Sequence, residues 1–380
     1  MTMTDLDRDM IERPELKEVR RQIRLMAREF GAEYWREVDR TRAFPDAFVD
    51  LMAEKGYPGA LIPKEYGGLG LGPSTAAVVV EEINRFGGDA SVINAQMAIS
   101  STLVRDGTDE QRARYLPGIA SGKIRLLTVA ATEPDSGADM SHLESYARLD
   151  GDHWVLDARK VLISLVEHSD LMILLVRTDR GPTLFLLDRK ELGDKIETHS
   201  VTLIANRLTT TLFIDGLRVS DVARLGPVGG GLKCLMKGFA LRRLLAASES
   251  IGNARFFLDR SIEHAKTRIT FNRPVGQNQG VQYPLTQAYA KTEAADLMRW
   301  DALRLLESKQ DASGRSALAK VLASEAAWEA GRAALTSFGG WGLATEYDIE
   351  RKLRDASVFV FNNMLLSYIA EQVLGLPKAF

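Results

Sequence analysis

The spacing of apolar residues changes twice along this 380-residue chain, and no other feature constrains the fold as strongly. From Pro14 onward, Leu16, Val19, Ile23, Met26 and Phe30 recur at alternating steps of three and four, which draws one stripe along a helix. Residues 45–56 and 73–107 read the same way, on either side of the Gly/Pro-rich loop PKEYGGLGLGP. From Thr128 to about residue 225 the period falls to two, or to short solid apolar runs, in SYARL, HWVLDARKVLIS, DLMILLVRT, PTLFLLD and TTTLFIDGLRV, with DGD and DRGP as turn signals. After GPVGGGL the helical period returns over roughly 231–268, 280–308, 315–336 and 350–374. The expected fold is therefore α+β: an N-terminal helical domain (1–127), a mainly antiparallel middle β domain (128–230) and a C-terminal bundle of long helices (231–380).

Several functions are disfavoured by composition. A net charge of -2 with scattered Lys and Arg provides no basic field for a nucleic-acid backbone. The one cysteine, Cys234, excludes an internal disulfide and a multi-thiolate metal site, and reads as a small buried hydrophobe. The five histidines form no HxxxH or HExxH pair, so no metal site is expected. The N-terminus MTMTDLDRDM is unlike a signal or transit peptide, and runs such as LMILLV are too short to span a bilayer; a cytoplasmic protein is expected. There is no GxSxG, no P-loop and no GxGxxG after a strand.

Six motifs occur in a distinctive order: PKEYGGLG (63–70), GTDEQRARYLPGIASGK (107–123), ATEPDSGAD (131–139), RITFNRPVGQNQGVQ (268–282), FGGWG (338–342) and ERKLRDA (350–356). In order and spacing they resemble the acyl-CoA dehydrogenase family of flavoproteins over nearly the whole chain. The resemblance implies bound FAD, an acyl-CoA or acyl-carrier-protein thioester as substrate, an electron-transfer flavoprotein or other acceptor as redox partner, and a homodimer or homotetramer. It also implies an α/β/α subunit, in agreement with the periodicity.

The resemblance further assigns residues. Thr132 matches a threonine that hydrogen-bonds the flavin ring, and Ala138 stands where a ligand-holding serine is usual. Leu162 and Ser164, two apart on one strand and so on one face, match a Trp and a Thr that touch the flavin. Arg268 and Phe271 match residues that reach a neighbouring subunit's FAD, at the diphosphate and the adenosine end respectively. Gly339 and Gly340 match backbone passing close to the cofactor, and Thr336 stands where a Gln is usual. Arg243 matches an arginine near the acyl pocket, with an ion pair to Glu249 or Asp259 as the plainer alternative.

The stretch VFVFNNMLLS sets two amides inside an apolar run. Eight residues beyond Asp355, the position of the family's catalytic glutamate carries Asn363. An amide has no titratable proton and cannot take the α-proton of a thioester near neutral pH. The alternative position of that glutamate carries Arg242, and Asp89, in GGDASV, is the candidate substitute base, with a helix N-cap as its other reading. The expectation is an FAD-dependent acyl-CoA dehydrogenase-like oxidoreductase with a non-standard active site. The alternatives are a non-catalytic subunit of a heteromeric enzyme and a flavoprotein of this fold doing different chemistry.

Overall fold

The computed structural model describes residues 13–137, 140 and 142–378. They divide into two compact units, one of residues 13–41, 72–90 and 240–378 and the other of 42–71 and 91–239. Helices run to Ala120, strands from Leu126 to Leu225, and helices again from Gly231, so the order expected from periodicity is the order observed.

The second unit is built around an eight-stranded sheet. Its strands are β1 (Leu126–Ala130), β2 (Tyr146–Asp150), β3 (His153–Ser164), β4 (Leu171–Thr178), β5 (Gly181–Asp188), β6 (Ile196–Val201), β7 (Thr209–Ser220) and β8 (Arg224–Leu225). The spatial order is β6-β7-β3-β2-β4-β5-β8, with β1 also paired to β4. The β1–β4 and β2–β4 pairings are parallel and the others antiparallel. Strand β4 shows why its sequence is a solid apolar run: Leu171, Ile173 and Leu175 pack with Ile99, Leu103, Leu116 and Ile119 of two helices. Met172, Leu174 and Val176 face the opposite cluster, with Trp154, Phe185 and Leu212. A strand covered on both faces loses its polar alternation. The helix Asp109–Ala120 begins with a capping box between Thr108 and Gln111, and the Gln111 amide donates onward to the carbonyls of Val222 (2.8 Å) and Arg224 (3.0 Å).

In the first unit, Pro14 at the first helical turn and the buried stripe Leu16, Ile23 and Met26 account for the helix Pro14–Glu29. The helices Phe239–Thr267, Gln279–Glu307 and Ser313–Phe338 contribute a core of Phe256, Phe257, Leu285, Ala330 and Ala334.

Three stretches expected as continuous helix are broken, and the shortest break is at Gly238, which divides 231–268 into Gly231–Lys237 and Phe239–Thr267. Residues 73–107 form Pro73–Arg85 and Ser91–Asp106, because Gly87 takes φ +87° and turns the chain. The carbonyls released there are held by two buried cations of the helix Ile349–Ser357: Arg351 donates to Gly87 O (2.8 Å) and Lys352 to Gly88 O (2.7 Å). Residues 350–374 likewise form Ile349–Ser357, an irregular bend and Asn363–Tyr368. Cys234 is buried, as its residue type suggested.

Candidate active site

In the sheet unit, β3 runs beside β1, with Leu162 next to the segment of Thr132 and the carbonyl of Ser164 accepting from Thr128 Oγ1 (3.0 Å). The backbone carbonyl of Thr132 accepts from Val161 N–H (3.0 Å), which lays the end of β1 beside the end of β3. Leu162 and Ser164 are both exposed, with Ile163 buried between them, as the two-residue period requires. Leu162 has φ +55° within a bulge of the β3–β7 ladder and is 57% exposed, an unusual setting for a leucine. The hydroxyl of Thr132 has no partner among the described residues, which leaves it free to bond a ligand. Ala138 lies outside the described residues.

The glutamate of the ATEP motif has a structural task. Glu133 accepts from Lys160 Nζ (2.6 Å), Glu144 N–H (2.6 Å) and Ser145 N–H (3.2 Å) and so closes the loop between β1 and β2. Burial opposes ionisation of this carboxyl, but the bonds from Lys160, Glu144 and Ser145 outweigh it and hold the pKa below the usual carboxylate range.

In the helical unit the two adjacent amides have different roles. Asn362 is 4% exposed and clamped: its Oδ1 accepts from Lys320 Nζ (2.7 Å) and its Nδ2 donates to Ser324 Oγ (3.0 Å). Lys320 also donates to the carbonyls of Phe359 (2.7 Å) and Phe361 (3.4 Å), which satisfies the bend where the helix is broken. Burial lowers the Lys320 pKa to about 8. Asn363, the first residue of the following helix, is exposed, and its side chain has no partner among the described residues.

Arg243 donates to Ser313 O (3.3 Å), and its guanidinium lies over the Tyr368 ring, 4.8 Å from the centroid. One of the two acidic partners considered for it, Asp259, is engaged by Arg85 (2.9 Å). Burial pushes the pKa of Arg242 down, and this guanidinium faces no carboxylate among the described residues. It supplies no base. Asp89 is half-buried and its charge raises the pKa of Lys352, whose own burial acts the other way. Its loop is held by the Arg351 and Lys352 bonds to the two preceding glycines.

Four residues assigned to the cofactor by resemblance line one cavity of about 730 Å³: Arg268, Thr336, Gly339 and Gly340. Gly339 has φ +61°, and nothing within 4 Å would meet a Cβ at either glycine, so this backbone fronts open space. An open backbone beside a guanidinium suits the diphosphate of FAD, which needs N–H donors and positive charge at close range. Phe271 stands at the turn between the two-residue strands Ile269–Thr270 and Arg273–Pro274, at φ +52° and 91% exposed. Among the described residues no group of acidic, His or Cys side chains could hold a metal ion.

The residues 13–123, 128–215 and 229–371 match the N-terminal, middle and C-terminal domains of acyl-CoA dehydrogenase. The chain belongs to the acyl-CoA dehydrogenase family. It is 33% identical to the caffeyl-CoA reductase–Etf complex subunit CarC of Acetobacterium woodii, over 90% of this chain and 93% of that one. It is 31% identical to the 3-(aryl)acrylate reductase of Clostridium sporogenes (88% and 92%) and 29% identical to acyl-CoA dehydrogenase FadE12 of Mycobacterium tuberculosis (98% and 100%). Among solved structures it resembles a glutaryl-CoA dehydrogenase in complex with glutaryl-CoA, with a TM-score of 0.90, 28% identity and 97% of each chain covered. This acyl-CoA dehydrogenase-type flavoprotein takes FAD as its cofactor. None of its described helices is long and apolar enough to cross a membrane.

Sequence reasoning missed Lys320, Lys160 and His264, which also lines the cavity. Lys320 left a signal: it interrupts the apolar face of SALAKVLAS, between the buried Ala317 and Ser324.

Proposed function

We propose that this acyl-CoA dehydrogenase-type flavoprotein acts on an acyl thioester with a non-standard active site, in which the group that handles the α-proton is not at position 363. The observation that carries this reading is the clamp on Asn362. Lys320 and Ser324 of the helix Ser313–Phe338 hold the segment leading to Asn363 with four hydrogen bonds at 2.7–3.4 Å, while Asn363 itself stays exposed. A segment built to this degree argues for a site in use, although the residue it presents cannot be a Brønsted base. Thr132, Leu162 and Ser164 support the same reading from the sheet unit, with Thr132 and Ser164 as hydroxyl donors toward the flavin and Leu162 as its apolar wall.

Bound FAD supplies the acceptor of the hydride from Cβ. The chain must then orient the thioester and exchange a proton at Cα, in either redox direction. Asp89 is the candidate for that proton, and it lies half-buried in the loop that the Arg351 and Lys352 bonds hold. Arg243 is assigned to the acyl pocket. The names of two relatives, caffeyl-CoA reductase and 3-(aryl)acrylate reductase, support α,β-unsaturated aryl thioesters or acids as compounds to try first. The same reading includes a carrier-bound acyl group, CoA or acyl-carrier protein, an electron-transfer flavoprotein as redox partner, a homo-oligomer in the cytoplasm, and the three-part division at residues 127 and 230.

The second reading, a non-catalytic subunit, is supported by the resemblance, which assigns the base to two positions that here hold Asn363 and Arg242. Anaerobic mixing with straight, branched, cyclic and aryl acyl-CoAs, followed at the flavin absorbance, separates the two. Turnover by the wild type that is lost in Asp89→Asn establishes Asp89 as the base. A slow wild type that gains at least about tenfold in Asn363→Glu locates the defect at position 363. No flavin reduction in any variant favours the non-catalytic subunit.

A further inference from the structure

The 730 Å³ cavity contains a titratable group that the site described above does not use. His264 lies one helical turn before Arg268, and both line this space with Thr270, Thr336, Ser337 and Trp341. Its imidazole is stacked on Phe338, with centroids 4.0 Å apart and planes at 17°. The stack fixes the ring plane while leaving both ring nitrogens without a partner among the described residues. No carboxylate lines the cavity, and Arg268 has no ion-pair partner among the described residues. A guanidinium and an imidazole facing one space with no acidic group opposite make a site for an anion with several oxygen acceptors.

We propose that His264 is a second phosphate ligand beside Arg268, and that it takes up a proton when the diphosphate of FAD docks in this cavity. The proposal rests on the assignment of this cavity to FAD. In the free protein, burial and the neighbouring Arg268 charge both push the His264 pKa below its usual value, so the ring is neutral near pH 7. The charged group facing it is Arg268, directly after its own helix, with none from the Ser313–Phe338 helix, the Gly339–Leu343 turn or the segments of Thr270 and Val275, which present Phe338, Thr336, Ser337, Trp341, Thr270 and Val275. A bound diphosphate reverses the sign of the local field, and the imidazolium then donates to a phosphate oxygen. No bond is made or broken except to this proton, which comes from solvent. The direction follows from linkage: the complex binds the proton more tightly than the free protein, so affinity falls as pH rises between the free and bound pKa values, by up to about tenfold per pH unit.

The test is titration of the flavin-stripped protein with FAD at pH 6, 7 and 8, read by quenching of flavin fluorescence. The wild type is expected to bind about tenfold or more weakly at pH 8 than at pH 6. His264→Tyr, which keeps an aromatic ring on Phe338, and His264→Gln should bind at all three pH values with the weaker affinity and no such dependence. A wild-type affinity that does not change with pH, or a pH dependence that survives both substitutions, overturns the role of His264 while leaving FAD binding intact. If FAD is not taken up at any pH, the cofactor assignment of the cavity fails. Inorganic diphosphate then reports on His264 alone: a rise in the wild-type melting temperature at pH 6, absent at pH 8 and in His264→Tyr, supports the anion site, and no rise at pH 6 overturns it.

Discussion

At the residue scale, one short stretch contains two chemically identical side chains with opposite fates. Asn362 is buried and answers the demand that an interior amide find partners; Asn363 is exposed, at the position the resemblance assigns to the family's base. Lys320 makes the difference, since its ammonium serves two carbonyls and one amide oxygen at once. Lys320→Met leaves these acceptors unsatisfied and should cost roughly 1–3 kcal/mol, with faster amide exchange over residues 359–366 as the local readout. The pH dependence has a definite sign. Burial holds the folded-state pKa at about 8, below the unfolded value, so the unfolded chain binds this proton more tightly and the lysine contributes least at and below pH 8. The stability gap between wild type and Lys320→Met, from denaturant midpoints, should therefore widen from pH 8 to pH 10. A constant gap would show that the proton is not involved.

At the element scale, loops are tied down by buried charges. Glu133 closes the β1–β2 loop through Lys160, and Glu133→Gln should destabilise the chain by about 3–5 kcal/mol, because it leaves a buried ammonium without its counter-charge. The Glu133 pKa is depressed in the folded state, so its contribution is present above the unfolded value and is lost as pH falls through the folded one. The difference between wild type and Glu133→Gln in urea unfolding should accordingly shrink as the pH is lowered from 6 toward 3. The turn at Gly87 is a second such point. A Cβ there would lie 3.1 Å from the Phe256 ring at φ +87°, so Gly87→Ala should cost on the order of 1–3 kcal/mol, seen as a lower Tm. The same substitution should disturb Asp89, two residues on, and slow any turnover that depends on it.

At the scale of the whole molecule, Phe271 calls for a partner. A phenylalanine 91% exposed at a left-handed turn is a poor surface residue in a monomer and a good one at a contact between copies. Light scattering should give a mass at least twice the 42.0 kDa of one chain, and Phe271→Asp should lower it together with the FAD content. A wild-type mass of one chain at micromolar concentration would count against the homo-oligomer. FAD should also be held loosely: Leu162 offers no aromatic plane for stacking and Thr336 stands where a longer amide donor is usual, each worth roughly 0.5–1.5 kcal/mol. Prolonged dialysis should strip flavin from the protein, and stoichiometric retention would contradict the loosened site.

The sequence alone determined the order of helix and sheet and the family, and its resemblance nominated the positions proposed for cofactor and base. Periodicity and motif spacing are properties of neighbouring residues, and they survive without knowledge of any distant contact. Even there it overran the breaks at Gly87 and at residues 358–362, where helix-compatible side chains yield to carbonyls that distant cations satisfy. Only the tertiary structure decided which of two adjacent asparagines is buried, that the motif glutamate Glu133 is a clasp, and that His264 shares a cavity with Arg268. Each of these depends on partners remote in the chain: Lys320 and Asn362 are 42 residues apart, Lys160 and Glu133 27 apart, and the cavity of His264 and Arg268 is closed by Thr336, Ser337 and Trp341. A buried charge is stable only where such partners meet it, and their meeting is a property of the folded chain.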